Sequence, residues 1–196
     1  MLGRFAVGLV AVMGALAVTA GGASAFFDER YDNGAPVGRG FGGLFGGTSP
    51  VARTTVSYPN RYAPGTIVIN TAERRLYLVL DQTQAIRYGI GVGRPGFTWS
   101  GVRTVSMKRE WPDWTPPSQM LHRRPDLPRH MAGGPENPLG ARAMYLGSSL
   151  YRIHGSNEPE TIGQAVSSGC FRLTNEDVID LYGRVRVGAT VIIQQH

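Results

Sequence analysis

Short β-rich runs separated by turn residues constrain the fold of this chain more than any other feature of its sequence. Each run is rich in Val, Ile, Leu, Thr or Tyr and is bounded by Gly, Pro, Asn or Asp, which is typical of strands. A chain of mostly strands buries its apolar faces in a sandwich or a barrel. The pattern therefore predicts a mainly β domain. The predicted strands cover residues 66–70, 75–80, 85–92, 101–110, 143–147, 150–154 and 189–195.

Two segments near the C-terminus carry helix signals. Thr174 precedes an acidic first turn and apolar residues at helical spacing, which is the usual beginning of a helix. Residues 160–166 are also predicted to form a short helix, which would return the chain toward His154. We therefore expect one or two short helices beside the strands.

Residues 111–140 are too rich in proline to form the interior of a sheet. Seven prolines lie between positions 112 and 138, and each removes a backbone hydrogen-bond donor. Long irregular insertions in a compact domain are usually functional or disordered, and Trp111 and Trp114 favour packing over disorder. The segment is therefore predicted to form a proline-rich lid.

Two further motifs resemble ligand sites but lack the context that such sites need. Residues 91–96 match the letters of the dinucleotide-binding pattern G-x-G-x-x-G, yet no helix pattern follows and Pro95 lies inside it. His122, Asp126 and His130 could ligate zinc, but their spacing matches no helix face in a proline-broken segment. We predict neither a nucleotide site nor a metal site.

The first 25 residues are organised like a secretory signal peptide. Arg4 is followed by an apolar run over residues 5–20 and by small residues that end at Ala25. Cleavage is predicted after Ala25, with a retained membrane anchor as the alternative, although the apolar run is short for a span. The predicted location is therefore across the inner membrane, in the periplasm or cell wall.

Residues 26–62 are rich in Gly, Pro and Arg and show neither helical nor strand periodicity. Such a composition predicts a flexible tether. The folded domain is accordingly predicted to cover residues 63–196.

The chain is basic, with a formal net charge of +6 and a pI near 9.9. A basic balance favours an anionic partner. The arginines are scattered without a basic run or an interleaved aromatic platform, which argues against nucleic acid as that partner. An acidic polymer outside the cytoplasm agrees with the charge and with the predicted export.

Cys170 is the only cysteine, so it can form no disulfide within the chain. It follows the small residues Ser167, Ser168 and Gly169, which are unusual for a buried core strand, and His154 lies sixteen positions before it. A neighbouring imidazole is the usual means of ionising a thiol near neutral pH. We predict a nucleophilic thiol with a lowered pKa, provided that His154 ends a strand and Cys170 lies on a loop folded back beside it.

These residues together resemble the signature of the L,D-transpeptidases, the YkuD-type family. In some members of that family a second histidine stands at the position of Ser168 and a serine at that of Gly155, so these two residues bear on the subgroup. The resemblance covers about residues 64–195 and implies a β-sandwich catalytic domain without a metal or other cofactor. It is carried by His154-Gly155, Gly163, Ser167-x-Gly169-Cys170-x-Arg172, Asp177, Trp114-Thr-Pro-Pro117, Asn137-Pro-Leu-Gly-Ala141 and Tyr145-Leu-Gly147.

The resemblance also implies roles for individual residues. Cys170 would be the nucleophile, His154 would accept and return its proton, and the Gly155 carbonyl would orient the imidazole. Arg172 would hold a substrate carboxylate, with a structural ion pair to Asp177 or Glu176 as the alternative. The candidate oxyanion and substrate-binding residues are Ser168, Gly169 together with the Cys170 N–H, Arg172, Tyr145 and Trp114.

The implied reaction is acyl transfer on peptidoglycan. The thiolate would attack the third residue of a stem tetrapeptide, release D-alanine and leave a thioester. The acyl acceptor would be an amine of a second stem, giving a 3→3 cross-link, or a lysine of an outer-membrane protein or lipoprotein. Alternatives that stay open are an L,D-carboxypeptidase, a sortase-like transpeptidase and a non-catalytic wall-binding module.

Overall fold

A computed structural model of the protein describes residues 49–196. The predicted signal peptide and most of the predicted tether lie outside these described residues. Within them, no helix is both long enough and apolar enough to cross a membrane.

The described chain is mostly strand, which confirms the predicted fold class. Nine strands form one sheet in the order β1-β4-β3-β2-β11-β6-β7-β8-β10, and β5 pairs with β9 in a second, small sheet. The strands are β1 (Thr54–Ser57), β2 (Ile67–Asn70), β3 (Arg75–Val79), β4 (Gln84–Gly89), β5 (Val92–Gly93), β6 (Gly101–Glu110), β7 (Arg142–Leu146), β8 (Arg152–His154), β9 (Ala165–Ser167), β10 (Phe171–Arg172) and β11 (Thr190–Gln194).

The long strand β6 joins the two halves of the large sheet. Its first residues pair antiparallel with β11, whereas Val105 to Glu110 pair with β7. The register shifts between Val105 and Met107, and such irregularities bend a strand and increase its twist. Side chains from both halves, including Ile67 and Ile153, belong to one buried hydrophobic core, as a sandwich requires.

The folded domain begins before the predicted boundary at residue 63. Strand β1 pairs antiparallel with β4 at the edge of the sheet. Just ahead of it, Arg53 Nη1 lies 3.3 Å from Asp177 Oδ1, and Val51 packs so closely on Gly89 that a Cβ there would lie 2.5 Å from the Val51 Cβ. The predicted tether is therefore wrong for this stretch, because pairing and packing with distant residues order a segment whose composition looked unstructured.

Helix α2 (Asn175–Arg184) forms where its sequence signals predicted a helix. The Thr174 side chain accepts a hydrogen bond from the Asp177 N–H at 3.2 Å, and the first turn is acidic. Its buried Val178 and Leu181 belong to the hydrophobic core. The amphipathic spacing of the segment therefore places one face of the helix against the sheets.

The helix predicted over residues 160–166 is wrong. A single 3-10 turn covers Pro159–Thr161, and Ala165 to Ser167 form β9 beside β5. Gly163 has a φ of +88° and donates its N–H to Ile90 O at 3.1 Å. A left-handed residue ends any helix, and strand pairing with a distant segment takes its place.

The proline-rich lid contains a helix that was not predicted, α1 (Ser118–Arg123), which buries none of its residues. Asn137 organises its ends: its Nδ2 donates to Pro112 O at 3.1 Å and to Ala132 O at 3.0 Å, and its Oδ1 accepts from the Leu139 N–H. This buried amide supplies the backbone partners that a proline-broken segment cannot obtain from a sheet.

Candidate active site

Parallel pairing of β8 with β10 brings the predicted nucleophile and base to one place. The register sets Phe171 opposite Ile153 and Arg172 opposite His154, so His154 ends one strand and Cys170 directly precedes its neighbour. Side chains alternate along a strand. Ile153 and Phe171 therefore point into the core, where both are buried, and Cys170 shares the opposite face with His154 and Arg172.

The imidazole of His154 is buried and held by a single backbone contact. Its Nδ1 lies 2.6 Å from Gly155 O, and only 4 % of the residue is exposed. Because a carbonyl oxygen only accepts, the neutral ring carries its proton on Nδ1 and presents a lone pair on Nε2. Burial, aided by the charges of Arg172 and Arg152, lowers the pKa of His154 to about 3, against the opposing effect of the Gly155 carbonyl. The ring is thus neutral at physiological pH.

The thiol of Cys170 is also neutral at rest, which corrects the expectation of a lowered pKa. Burial of the sulfur raises the pKa of Cys170, and hydrogen bonds from Arg152 with the charges of Arg152 and Arg172 oppose that effect. Sγ lies 3.9 Å from Leu150 O, while the residue as a whole keeps partial exposure. The lowered pKa is absent because a neutral imidazole contributes no positive charge to stabilise a thiolate.

The turn before Cys170 requires glycine at position 169. Gly169 has a φ of +108°, and a Cβ there would lie 2.5 Å from Tyr151 Cε1. Trp99 stacks on Tyr151 with ring centroids 4.5 Å apart and donates its Nε1–H to Gly169 O at 2.9 Å. A strained backbone held by aromatic packing therefore presents the cysteine.

The Gly169 N–H is already used within this turn. It donates to Ser167 Oγ at 3.1 Å, and Ser167 Oγ in turn donates to Cys170 O at 2.6 Å. Gly169 is therefore not positioned as an oxyanion donor as expected, because its donor is satisfied locally. Ser168 is half-buried on the same turn.

Arg172 forms an ion pair, but with neither of the predicted partners. Its Nη1 lies 2.9 Å from Glu158 Oε2, on the loop that follows His154. Asp177 is instead paired with Arg53. The ion pair with Asp177 or Glu176 is thus wrong, since both acids lie on α2 and the strand register directs Arg172 to the His154 side.

Arg152 is a residue of the site that was not predicted from the sequence. The register of β8 and β10 places it next to Cys170. Arg152 stands two positions before His154 on β8, opposite Tyr145 of β7. Its Cζ lies 5.0 Å from the centroid of the Tyr145 ring, and it hydrogen-bonds Cys170. The two-residue period of a strand, which puts Arg152 and His154 on one face, is the signal that could have found it.

The lid reaches the loops on two sides of the site. Asn157, on the loop after His154, donates from Nδ2 to Glu136 O at 3.2 Å. On the other side, Arg123 of α1 lies 5.9 Å from the ring of Phe97, whose carbonyl oxygen would be 3.3 Å from a Cβ at Gly169. The backbone of Trp114, a predicted substrate-binding residue, pairs with the backbone of Met131 inside the lid.

The residues considered for zinc are used in other contacts. His130 Nε2 lies 3.7 Å from Asp113 Oδ2, and Asp126 is bound by Arg124 at 2.6 Å. Across residues 49–196, no group of three or more His, Cys, Asp and Glu side chains is arranged to hold a metal ion.

The class of protein is therefore a β-sandwich domain in which a buried histidine ends one strand and a cysteine directly precedes the parallel strand beside it. Comparison with known proteins names the family. The family model described as "YkuD: L,D-transpeptidase catalytic domain" matches residues 64–193. The chain belongs to this L,D-transpeptidase family. It is 40% identical over 136 residues to the "Probable L,D-transpeptidase ErfK/SrfK" of Escherichia coli K12, a match that covers 65% of this chain and 43% of the relative. The chain thus spans less than half the length of that curated relative.

Solved structures share the fold. L,D-transpeptidase 3 from Mycobacterium tuberculosis superposes with a TM-score of 0.55 at 20% identity, covering 66% of this chain and 60% of that one. A Brucella melitensis chain described as a "Probable carnitine operon oxidoreductase caia" is 46% identical with a TM-score of 0.51, covering 75% of this chain and 96% of that one. In the present protein the glycine-rich residues 91–96 include β5, and the chain continues from β5 to β6 with no helix between them, which is not a strand–turn–helix dinucleotide site.

Proposed function

We propose that the protein is a cysteine-dependent L,D-transpeptidase that acts on peptidoglycan stem tetrapeptides. The observation that carries this proposal is the β8–β10 pairing, which sets Cys170 beside an imidazole whose Nδ1 is fixed by Gly155 O at 2.6 Å. A nucleophile, a base and a group that orients the base are the elements of covalent acyl transfer. Membership of the family supplies the class of reaction.

In the acylation step, Cys170 Sγ attacks the carbonyl carbon of the third stem residue. The thiol proton passes to the free Nε2 lone pair of His154 as the C–S bond forms, because both groups are neutral at rest. The Cys170 N–H stabilises the oxyanion of the tetrahedral intermediate. The C–N bond then breaks, the imidazolium returns its proton to the departing amine, and D-alanine leaves a thioester on Cys170.

In the second step an amine attacks the thioester carbonyl and His154 takes its proton, which passes to the departing sulfur. A second stem as acceptor gives a 3→3 cross-link, and a lysine of an outer-membrane protein or lipoprotein anchors that protein to the wall. Water as acceptor would give carboxypeptidase activity instead. The lid of residues 111–140 would favour the amine, because it contacts loops on both sides of the site and so would limit the access of water.

The proposed function also requires that the protein be exported. The predicted signal peptide over residues 1–25 would deliver the protein to the periplasm or cell wall, where its substrate lies. The net charge of +6 favours accumulation on an anionic polymer.

The test is mass spectrometry of the purified protein with a disaccharide-tetrapeptide donor. We expect release of D-alanine and formation of tripeptide–tetrapeptide dimers joined between third residues. A carbapenem should add its mass at Cys170, and Cys170→Ala should abolish both results while retaining the wild-type melting temperature. If the folded wild-type protein shows neither an adduct nor any donor turnover, the proposal is contradicted. That outcome would favour a non-catalytic wall-binding module.

A further inference from the structure

Two arginines flank the reacting groups, and within the described part of the chain only one of them has an acidic partner. Arg172 is neutralised by Glu158 at 2.9 Å. Within residues 49–196, Arg152 is paired with no carboxylate, and its Nε is buried without a hydrogen-bond partner. A guanidinium stays charged at any physiological pH, so a half-buried one without a counter-ion is an anion-binding group.

The position of Arg152 determines which anion it can bind. The register Tyr145–Arg152 on one side and Ile153–Phe171 on the other sets Arg152 directly beside Cys170. Its guanidinium rests 5.0 Å from the centroid of the Tyr145 ring. The aromatic face fixes the guanidinium in place, and the hydrogen bond to Cys170 uses only part of its five N–H donors.

We propose that Arg152 binds the terminal carboxylate of the donor peptide, on the residue that is released. This inference rests on the proposed function and adds the feature by which the site recognises its donor. Only a nitrogen and a Cα separate that carboxylate carbon from the attacked carbonyl carbon, a distance of about 3–4 Å. A carboxylate at that distance lies beside the sulfur, as Arg152 does. The carboxylate at the far end of a diamino acid side chain lies several bonds farther away.

The assignment explains how the donor is chosen and how it affects the base. A donor with one residue beyond the attacked carbonyl places its carboxylate on Arg152, whereas a longer peptide presents an amide there. Arg152 and Arg172 both lower the pKa of His154. A bound carboxylate offsets the charge of Arg152, so the imidazole becomes a stronger base when the correct donor is in place.

The experiment compares two donors that differ at one group, a tetrapeptide ending in D-alanine and the same peptide ending in D-alaninamide. Charge-assisted hydrogen bonds predict that wild-type kcat/KM for the acid exceeds that for the amide by about ten- to a hundredfold. Arg152→Gln should reduce kcat/KM for the acid much more than kcat/KM for the amide, so that the ratio of the two falls to about one. Arg152→Lys should keep part of the preference. Arg186→Gln, on an exposed loop, removes the same charge and should change neither rate.

Each alternative outcome contradicts the inference. Equal wild-type kcat/KM values for the acid and the amide would contradict it, and this comparison needs no variant whose folding could be impaired. An equal loss with both donors in Arg152→Gln would indicate a structural role. A preference that disappears in Arg172→Gln, or one that depends on amidation of the diamino acid side chain, would assign the carboxylate elsewhere. Failure of the proposed function is distinct from all of these, because then neither donor is turned over and no carbapenem adduct forms.

Discussion

Replacement of Gly155 by alanine tests the packing that holds His154 in place. The backbone of Gly155 has no positive φ, so the only obstacle to a side chain is space. A Cβ there would lie 2.3 Å from Asn175 Oδ1 and 3.1 Å from Val178 Cγ1. Because Asn175 begins α2 and Gly155 follows β8, the substitution forces apart two elements that meet under the active site.

The cost follows from the bond that Asn175 must give up. Its Oδ1 accepts the buried Ala141 N–H at 2.8 Å. If Asn175 rotates away from the new methyl group, that donor is left without a partner, at a cost of about 1–3 kcal/mol. If it does not rotate, overpacking costs a similar amount, about 1–3 kcal/mol. Either response predicts that the free energy of unfolding falls by about 1–3 kcal/mol.

Urea denaturation monitored by circular dichroism measures this change directly. Gly183→Ala is the matched control, because Gly183 lies in α2 and a Cβ there meets nothing within 4 Å. A glycine-to-alanine change in an open helical position should stabilise the protein by up to about 1 kcal/mol. The two substitutions add the same methyl group and should shift the free energy of unfolding in opposite directions.

A double-mutant cycle with Asn175→Ala identifies the cause. With the amide removed, the Ala141 N–H is already unsatisfied and the obstacle is gone, so Gly155→Ala should cost at least about 1 kcal/mol less than in the wild-type background. Strict additivity would refute the argument, as would a Gly155→Ala protein as stable as the wild type.

Two further predictions concern charged groups. His154 has a pKa of about 3 in the folded protein, and its pKa in the unfolded chain is near 6.5; the unfolded chain therefore binds the extra proton, and stability is lost as pH falls from 6.5 toward 3. Urea denaturation at pH 7 and pH 4.5 measures how much the free energy of unfolding decreases in acid. This decrease should be smaller in His154→Asn than in the wild type, by about 1.4 kcal/mol per pH unit below 6.5. An equal decrease in both proteins would contradict the neutral, buried ring. Lys108 Nζ donates to Tyr182 O and to Val185 O, each at 2.6 Å, so Lys108→Met should lower the free energy of unfolding by about 1–3 kcal/mol, measured in the same way, and an unchanged value would show that water satisfies these carbonyls equally well.

Much of the fold could be predicted from local sequence patterns. Helix α2 was predictable because Thr174, the acidic first turn and the apolar spacing all lie within a few residues of one another. The same holds for most strands and for the irregular lid, in which prolines exclude a sheet interior. The helix predicted at residues 160–166 failed because β9 is stabilised by β5, which lies far away in sequence.

The candidate site could also be predicted only in part. A lone cysteine after Ser-Ser-Gly, preceded by His-Gly, identified Cys170 and His154 as candidates from residue type and spacing alone. The neutral state of both groups could not be predicted, because the pKa values depend on burial and on charges from two strands. The ion pair between Arg172 and Glu158 could not be predicted either, because Glu158 lies on a loop fourteen residues earlier.

The amino-acid sequence by itself determined the mainly β class, helix α2, the irregular segment over residues 111–140 and the choice of Cys170 and His154 as candidates, since each depends on residue types and local spacing. Tertiary structure alone decided the parallel register of β8 and β10, which selects Arg152 and Arg172 as the neighbours of the sulfur. Among the residues that the structure describes, only Arg172 then has a carboxylate partner. Strand register and burial are collective properties of the folded chain, because they depend on how all the elements pack together.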